Sequence, residues 1–118
     1  MNTDALSIEI ACVSNLYSRM MLFEKCGAME QGHSHPFDHV TLLAKGKLEI
    51  TVEGKTTEFT APKMIFIAAK KKHKLVALED DTLVFCIHAL RDIETGDILD
   101  PSMIPVAIDS RKHGLLCD

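Results

Sequence analysis

The stretch Gly27-Ala-Met-Glu-Gln-Gly-His33-Ser-His35-Pro-Phe-Asp-His39-Val-Thr-Leu-Leu-Ala-Lys-Gly46 decides how this chain is read. Three of the six histidines fall within seven positions, and a fourth, His73, opens a later apolar run. Imidazole is the commonest transition-metal ligand, so a cluster of this density points to a cation. On a strand, His33 and His35 share a face, whereas on a helix they point roughly 200° apart and cannot chelate. A straight strand sets His39 about 13 Å beyond His35, too far to share an ion. Pro36 and Asp38 both favour a turn, and Pro breaks strand pairing. The local reading is strand, turn, strand, with three imidazoles facing one point.

The order of landmarks is Gly27, five residues, His33-Ser34-His35, three residues, His39, six residues, Gly46. It resembles the first motif of the cupins, with His39 standing where that family usually carries glutamate. Residues 62–77 resemble the second motif. His73 is its histidine, while Pro62, Ala68, Lys70 and Ala77 occupy positions that are usually glycine, proline, glycine and asparagine. The two motifs together cover residues 27–77. The resemblance implies an all-β fold, a double-stranded β-helix (jelly-roll) barrel. It also implies homodimerisation and metal-dependent small-molecule chemistry. A non-haem dioxygenase is the first expectation, a hydrolase or isomerase the second, and a non-catalytic binding module the alternative.

The expected cofactor is one divalent transition metal held by His33, His35, His39 and His73. Three imidazoles and one carboxylate leave a divalent ion with net charge +1, and four imidazoles leave it +2. The exchange of glutamate for His39 therefore raises Lewis acidity and disfavours a ferric state. An all-imidazole shell suits iron first, with nickel, zinc or copper as alternatives. Tetrahedral zinc would be saturated by four ligands, whereas an octahedral ion keeps two open positions.

The rest of the chain agrees with a small β domain. Its 118 residues are expected to form one domain, with a motif-bearing core over about 27–90 and a tail over 91–118 that packs on the barrel or on a dimer partner. The formal charge of −4 argues against nucleic acid as a partner. Ile10–Ser18, an uncharged stretch near the N-terminus, falls far short of the ~20 residues of a membrane span. Asp4 and Glu9 stand where a secretory signal would be basic, so a cytoplasmic location is expected. Cys12, Cys26, Cys86 and Cys117 form no Cys-x-x-Cys pair and read as reduced, mostly buried thiols.

Alternation predicts strands over 7–13, 40–44, 47–52 and 55–59, and short apolar runs between turns predict strands over 64–68, 74–78 and 82–90. Residues 17–26 fit helix or strand by periodicity, and the cupin resemblance implies a strand there. Lys45-Gly46, Glu53-Gly54 and Glu79–Asp81 supply turns between them. On the last strand Val84, Cys86 and His88 share one face, and Leu83, Phe85, Ile87 and Ala89 the other. The resemblance implies that this strand lines the barrel, which makes His88 the candidate acid or base and Cys86 a substrate contact. Phe37, beside the histidines, is a candidate wall of the pocket. Lys70, first of three lysines before His73, is a candidate for attracting an anionic small-molecule ligand. Arg19 and the group Met20, Met21, Met29 and Met64 read as structural.

Overall fold

Residues that alternate in character along a strand can bury one face only when a second sheet covers it, and two sheets do so here. The computed structural model describes residues 5–31, 38–92, 94–95 and 97–98. Among them are β1 (Leu6–Val13), β2 (Leu16–Phe23), β3 (Met29–Glu30), β4 (His39–Lys45), β5 (Lys47–Val52), β6 (Lys55–Thr60), β7 (Lys63–Ile67), β8 (His73–Ala77) and β9 (Thr82–Ala89). The strands are ordered β1-β2-β9-β4-β7 in one sheet and β3-β8-β5-β6 in the other, all pairs being antiparallel. This is the all-β jelly roll that the strand pattern and the motifs predict. None of the described residues forms a helix long and apolar enough to cross a membrane.

Turn chemistry explains most of the connections. Ser14 has φ +54° in the two-residue β1–β2 loop, and Glu53 and Gly54 both take positive φ in the two-residue β5–β6 loop. Positive φ at both central positions matches the right-handed twist of the flanking strands. Thr51 and Thr56 then pair their hydroxyls at 2.9 Å across that hairpin. At the β8–β9 turn Asp81 takes φ +56° and the Asp80 carboxylate accepts the Cys26 N–H at 2.8 Å.

Most strand bounds shift by a residue from those expected, and only 47–52 is unchanged. β2 ends at Phe23, not at residue 26, because the chain turns over Lys25–Ala28, where the Ala28 N–H donates to the Lys25 carbonyl at 2.9 Å and Gly27 takes φ +92°. β7 and β8 each begin one residue earlier than the apolar runs indicate, so His73 itself is a strand residue. β3 has two residues, too few to display a period, and is recruited by its pairing with β8. The cysteines also differ from expectation. Cys26 is exposed and Cys12 and Cys86 are half-buried, since the turn after β2, the end of β1 and the polar middle of the barrel hold them. Met20 and Met64 lie outside the core, Met64 being 69% exposed on β7, whereas Met21 and Met29 are buried.

The inward side chains form layers along the barrel axis. At the closed end lie Met21, Val84 and Leu43 from one sheet and Ala77, Leu48 and Phe59 from the other. Arg19, Cys86, Thr41 and Ile65 then face Glu30, Leu75, Ile50 and Thr57. The outermost layer holds Tyr17, His88, His39 and Ile67 opposite His73, Val52 and Lys55. Full burial of each large side chain at the closed end contributes about 2 kcal/mol, which anchors the register of every strand above it.

After β9 the chain makes a small loop in which Arg91 bridges Ile98. The Asp92 carboxylate accepts N–H groups from Thr95 and Glu94, which hold its carboxyl below the ordinary aspartate value. The rest of the expected tail, residues 99–118, lies outside the described residues.

Gly46, in the β4–β5 turn, packs directly against Thr82 of β9. It has φ +90°, and a Cβ there would lie 2.9 Å from the Thr82 Cα. Thr82 is fully buried and donates its hydroxyl to the Glu79 carbonyl, so it has no room to retreat. Gly46→Ala is expected to lose about 2–3 kcal/mol through strain and overpacking, read as a lower urea midpoint with an unchanged slope.

Candidate metal centre

The alternation that buries the core also drives several polar side chains into the barrel, and apart from Thr82 the buried ones lie in its upper two layers. His39 opens β4 and His73 opens β8, each 5% exposed. Their rings lie 5.3 Å apart between centroids, tilted by 47°. Two imidazoles on one ion, with metal–nitrogen bonds of about 2.0–2.1 Å at roughly 90–110°, have centroids ~4.5–5.3 Å apart. The observed spacing falls in that range.

Hydrogen bonding settles which nitrogen of His73 is available. Its Nδ1 lies 3.0 Å from the Lys71 carbonyl, which can only accept, so Nδ1 carries the proton and Nε2 the lone pair. A ligating histidine is oriented in this way by its second nitrogen. The cis pair, its burial and the tautomer of His73 therefore fit a divalent cation. His33 and His35, with Phe37, lie outside the described residues. Among the described residues no three His, Cys, Asp or Glu side chains gather in a metal-sized group.

His88 faces the interior, as alternation predicts. It stacks on Tyr17 with centroids 4.6 Å apart and planes 20° from parallel. Its Nδ1–H donates to the Ala89 carbonyl at 2.8 Å, which leaves the lone pair on Nε2. Continuing the β4–β9 register one residue past Val40↔Ile87 sets His39 opposite His88, one strand spacing or about 4.8 Å away. Cys86 lies one layer deeper, its sulfur 3.7 Å from the Thr41 hydroxyl.

Lys70 is exposed on the turn before β8 with φ +63°, and Lys71 pairs with Glu53 at 3.2 Å on the surface. The groove beside His73 is bordered by Lys72 and Lys74, together with Gln31, Thr51, Glu53 and Gly54. Lys70 itself is not among its walls.

Sequence reasoning passed over one feature of the interior. Arg19 on β2 and Glu30 on β3 form an ion pair at 3.0 Å that crosses from one sheet to the other, with side chains 16% and 10% exposed. Arg19 is the one charge in the run Tyr17–Phe23, at an inward position by alternation with Met21 and Phe23, and that placement was the available signal. Glu30 gave none, because β3 is too short to show which way its side chains point. Glu30 also gives the barrel interior a carboxylate, in addition to the histidines that the motifs assign there.

The chain belongs to the cupin family: residues 19–89, more than half of its length, match the Cupin domain. Among curated proteins none matches the chain. Several solved structures share the fold. KdgF from Halomonas sp. is 24% identical, with a TM-score of 0.64 over 72% of this chain and 80% of that one. An RmlC-like cupin from Shewanella frigidimarina is 21% identical, with a TM-score of 0.63 over 75% and 79%. A cupin superfamily protein from Desulfitobacterium hafniense is 13% identical, with a TM-score of 0.65 over 75% and 81%. At these identities the likeness concerns the fold, and function has to be argued from the site.

The Arg19–Glu30 pair ties the sheets together beneath the histidines. Removing one partner strands a buried charge, so Arg19→Met is expected to cost about 3 kcal/mol. The double variant Arg19→Met/Glu30→Leu should recover more than half of that loss. A urea-denaturation double-mutant cycle measures both.

Proposed function

We propose that this cupin is a small-molecule metalloenzyme whose divalent ion is held by His33, His35, His39 and His73. The observation that carries the reading is the buried His39–His73 pair at 5.3 Å, with the Nδ1–H of His73 committed to the Lys71 carbonyl. His33 and His35 complete the set through their motif spacing. Such an ion supplies Lewis acidity and, if it is iron, electron transfer with dioxygen. A dioxygenase is the first choice of reaction, and a hydrolase or isomerase the second.

The side chains around the histidines have separable tasks. His88 takes or returns a proton at Nε2, since its Nδ1–H is tied to the Ala89 carbonyl and its ring is steadied by Tyr17. Arg19 and Glu30 cancel in charge, so a +2 centre built on four imidazoles leaves the upper barrel cationic and favours an anionic substrate. Cys86 and Thr41 offer weak polar contacts in the layer below. A non-catalytic binding module is the second reading. It is favoured by the same ion pair, because Arg19 engages the Glu30 carboxylate that would otherwise be a ready general base.

Plasma mass spectrometry of tag-free protein tests the centre. Wild type is expected to carry about one equivalent of a first-row metal, with His73→Ala losing it and His39→Ala binding it at least tenfold more weakly. His88→Ala should keep the metal and lose turnover by a hundredfold or more in a dioxygen-uptake screen. Absence of metal after loading with iron, nickel, zinc and copper in turn would overturn the reading.

A further inference from the structure

The two sheets do not close on each other along one side. β6 ends the four-stranded sheet and β7 ends the five-stranded sheet, and among the described residues neither pairs with the other. Between these edges lies a slot of about 270 Å³. Its walls are the inward residues Ile50, Val52, Phe59, Ile65 and Ile67, with Thr57 and Phe66 at the rim. Lys55 is the one ionisable residue that lines it. Lys55 is exposed at the start of β6, and no carboxylate among the described residues is paired with it.

The slot runs through all three layers of the barrel. Phe59 marks its deep end, Ile50 and Ile65 its middle, and Val52, Ile67 and Lys55 its upper end. Val52 is the strand partner of His73, and Ile67 is the strand partner of His39. The charged end of the slot is therefore the end beside the histidine pair, and the apolar end points away from it. An apolar cavity of about 150 Å³ can take up benzene. The slot has room for a single ring or a chain of about six carbons, together with a carboxylate.

We propose that this slot binds a small apolar monocarboxylate, with its hydrocarbon part between Ile50 and Ile65 and its carboxylate against Lys55. Burial of the hydrocarbon drives binding, and the single cation at the histidine end fixes the direction in which the molecule lies. That this ligand is the substrate of the metal centre rests on the function proposed above. Its binding does not, since the slot is formed by side chains outside the histidine set.

Methyl NMR of the chelator-treated, metal-free protein titrated with hexanoate tests the assignment, with hexan-1-ol as the uncharged comparator. Saturable shifts are expected at the Ile50, Val52, Ile65 and Ile67 methyls. Lys55→Met should weaken hexanoate at least fivefold while leaving hexanol within twofold. Thr57→Trp, a rim substitution that fills the slot without opening the core, should abolish both, its remaining methyl spectrum reporting the fold. Shifts confined to other residues, equal hexanoate affinity in Lys55→Met, or no saturable shift because a second copy of the chain covers these edges would each overturn the proposal. Zinc titration of the same sample separates the two readings. Loss of metal binding with slot binding intact removes the enzyme reading alone, and the reverse result removes the slot.

Discussion

A side chain on a paired strand faces either the inside or the outside of the sheet, and the hydrogen-bond register carries that choice from strand to strand. In this barrel the choice is enforced at the closed end, where Met21, Phe23, Val84, Leu43 and Leu48 are fully buried. A one-residue slip of β2 would expel Met21 and Phe23 together and carry Arg19 out of the interior. The apolar layer thus holds the polar layers above it in place, at a distance from the groups it positions. Arg19 and Glu30 incur the desolvation of two charges, and their contact across the sheets offsets it.

Character changes steadily along the barrel axis. Hydrocarbon fills the closed end, an ion pair with a thiol and a hydroxyl occupies the middle, and the upper layer carries Tyr17 and three described histidines. Such a gradient gives one fold two duties without conflict, since stability comes from the end where chemistry is absent. Two of those histidines are also oriented by backbone carbonyls next to them in sequence, Lys71 for His73 and Ala89 for His88. The strand positions each ring, and the adjacent carbonyl fixes its tautomer. Local backbone therefore does work that in many sites falls to a separate carboxylate.

Most of the fold could be read from residue order alone. Alternation and short apolar runs from Val40 onward located six strands to within a residue or so, because half-buried strands must alternate and glycine or acidic turns must separate them. Gly46 and Gly54 were legible as turns, and both take positive φ. The histidine spacing selected a family and a kind of chemistry, and the Cupin domain match agrees with the family. What alternation could not show was anything that depends on which strands become neighbours. The two-residue strand β3 exists because β8 is there to pair with it.

Amino-acid order by itself determined the strand runs, the turns, the family motifs and the inward face of β9, since each depends on residues a few positions apart. The tertiary structure alone decided the Arg19–Glu30 bridge, the 5.3 Å spacing of the His39 and His73 rings and the open slot between β6 and β7. Each of these joins two elements whose proximity follows from sheet order, and the pattern along any one strand carries no information about its partner in the opposite sheet.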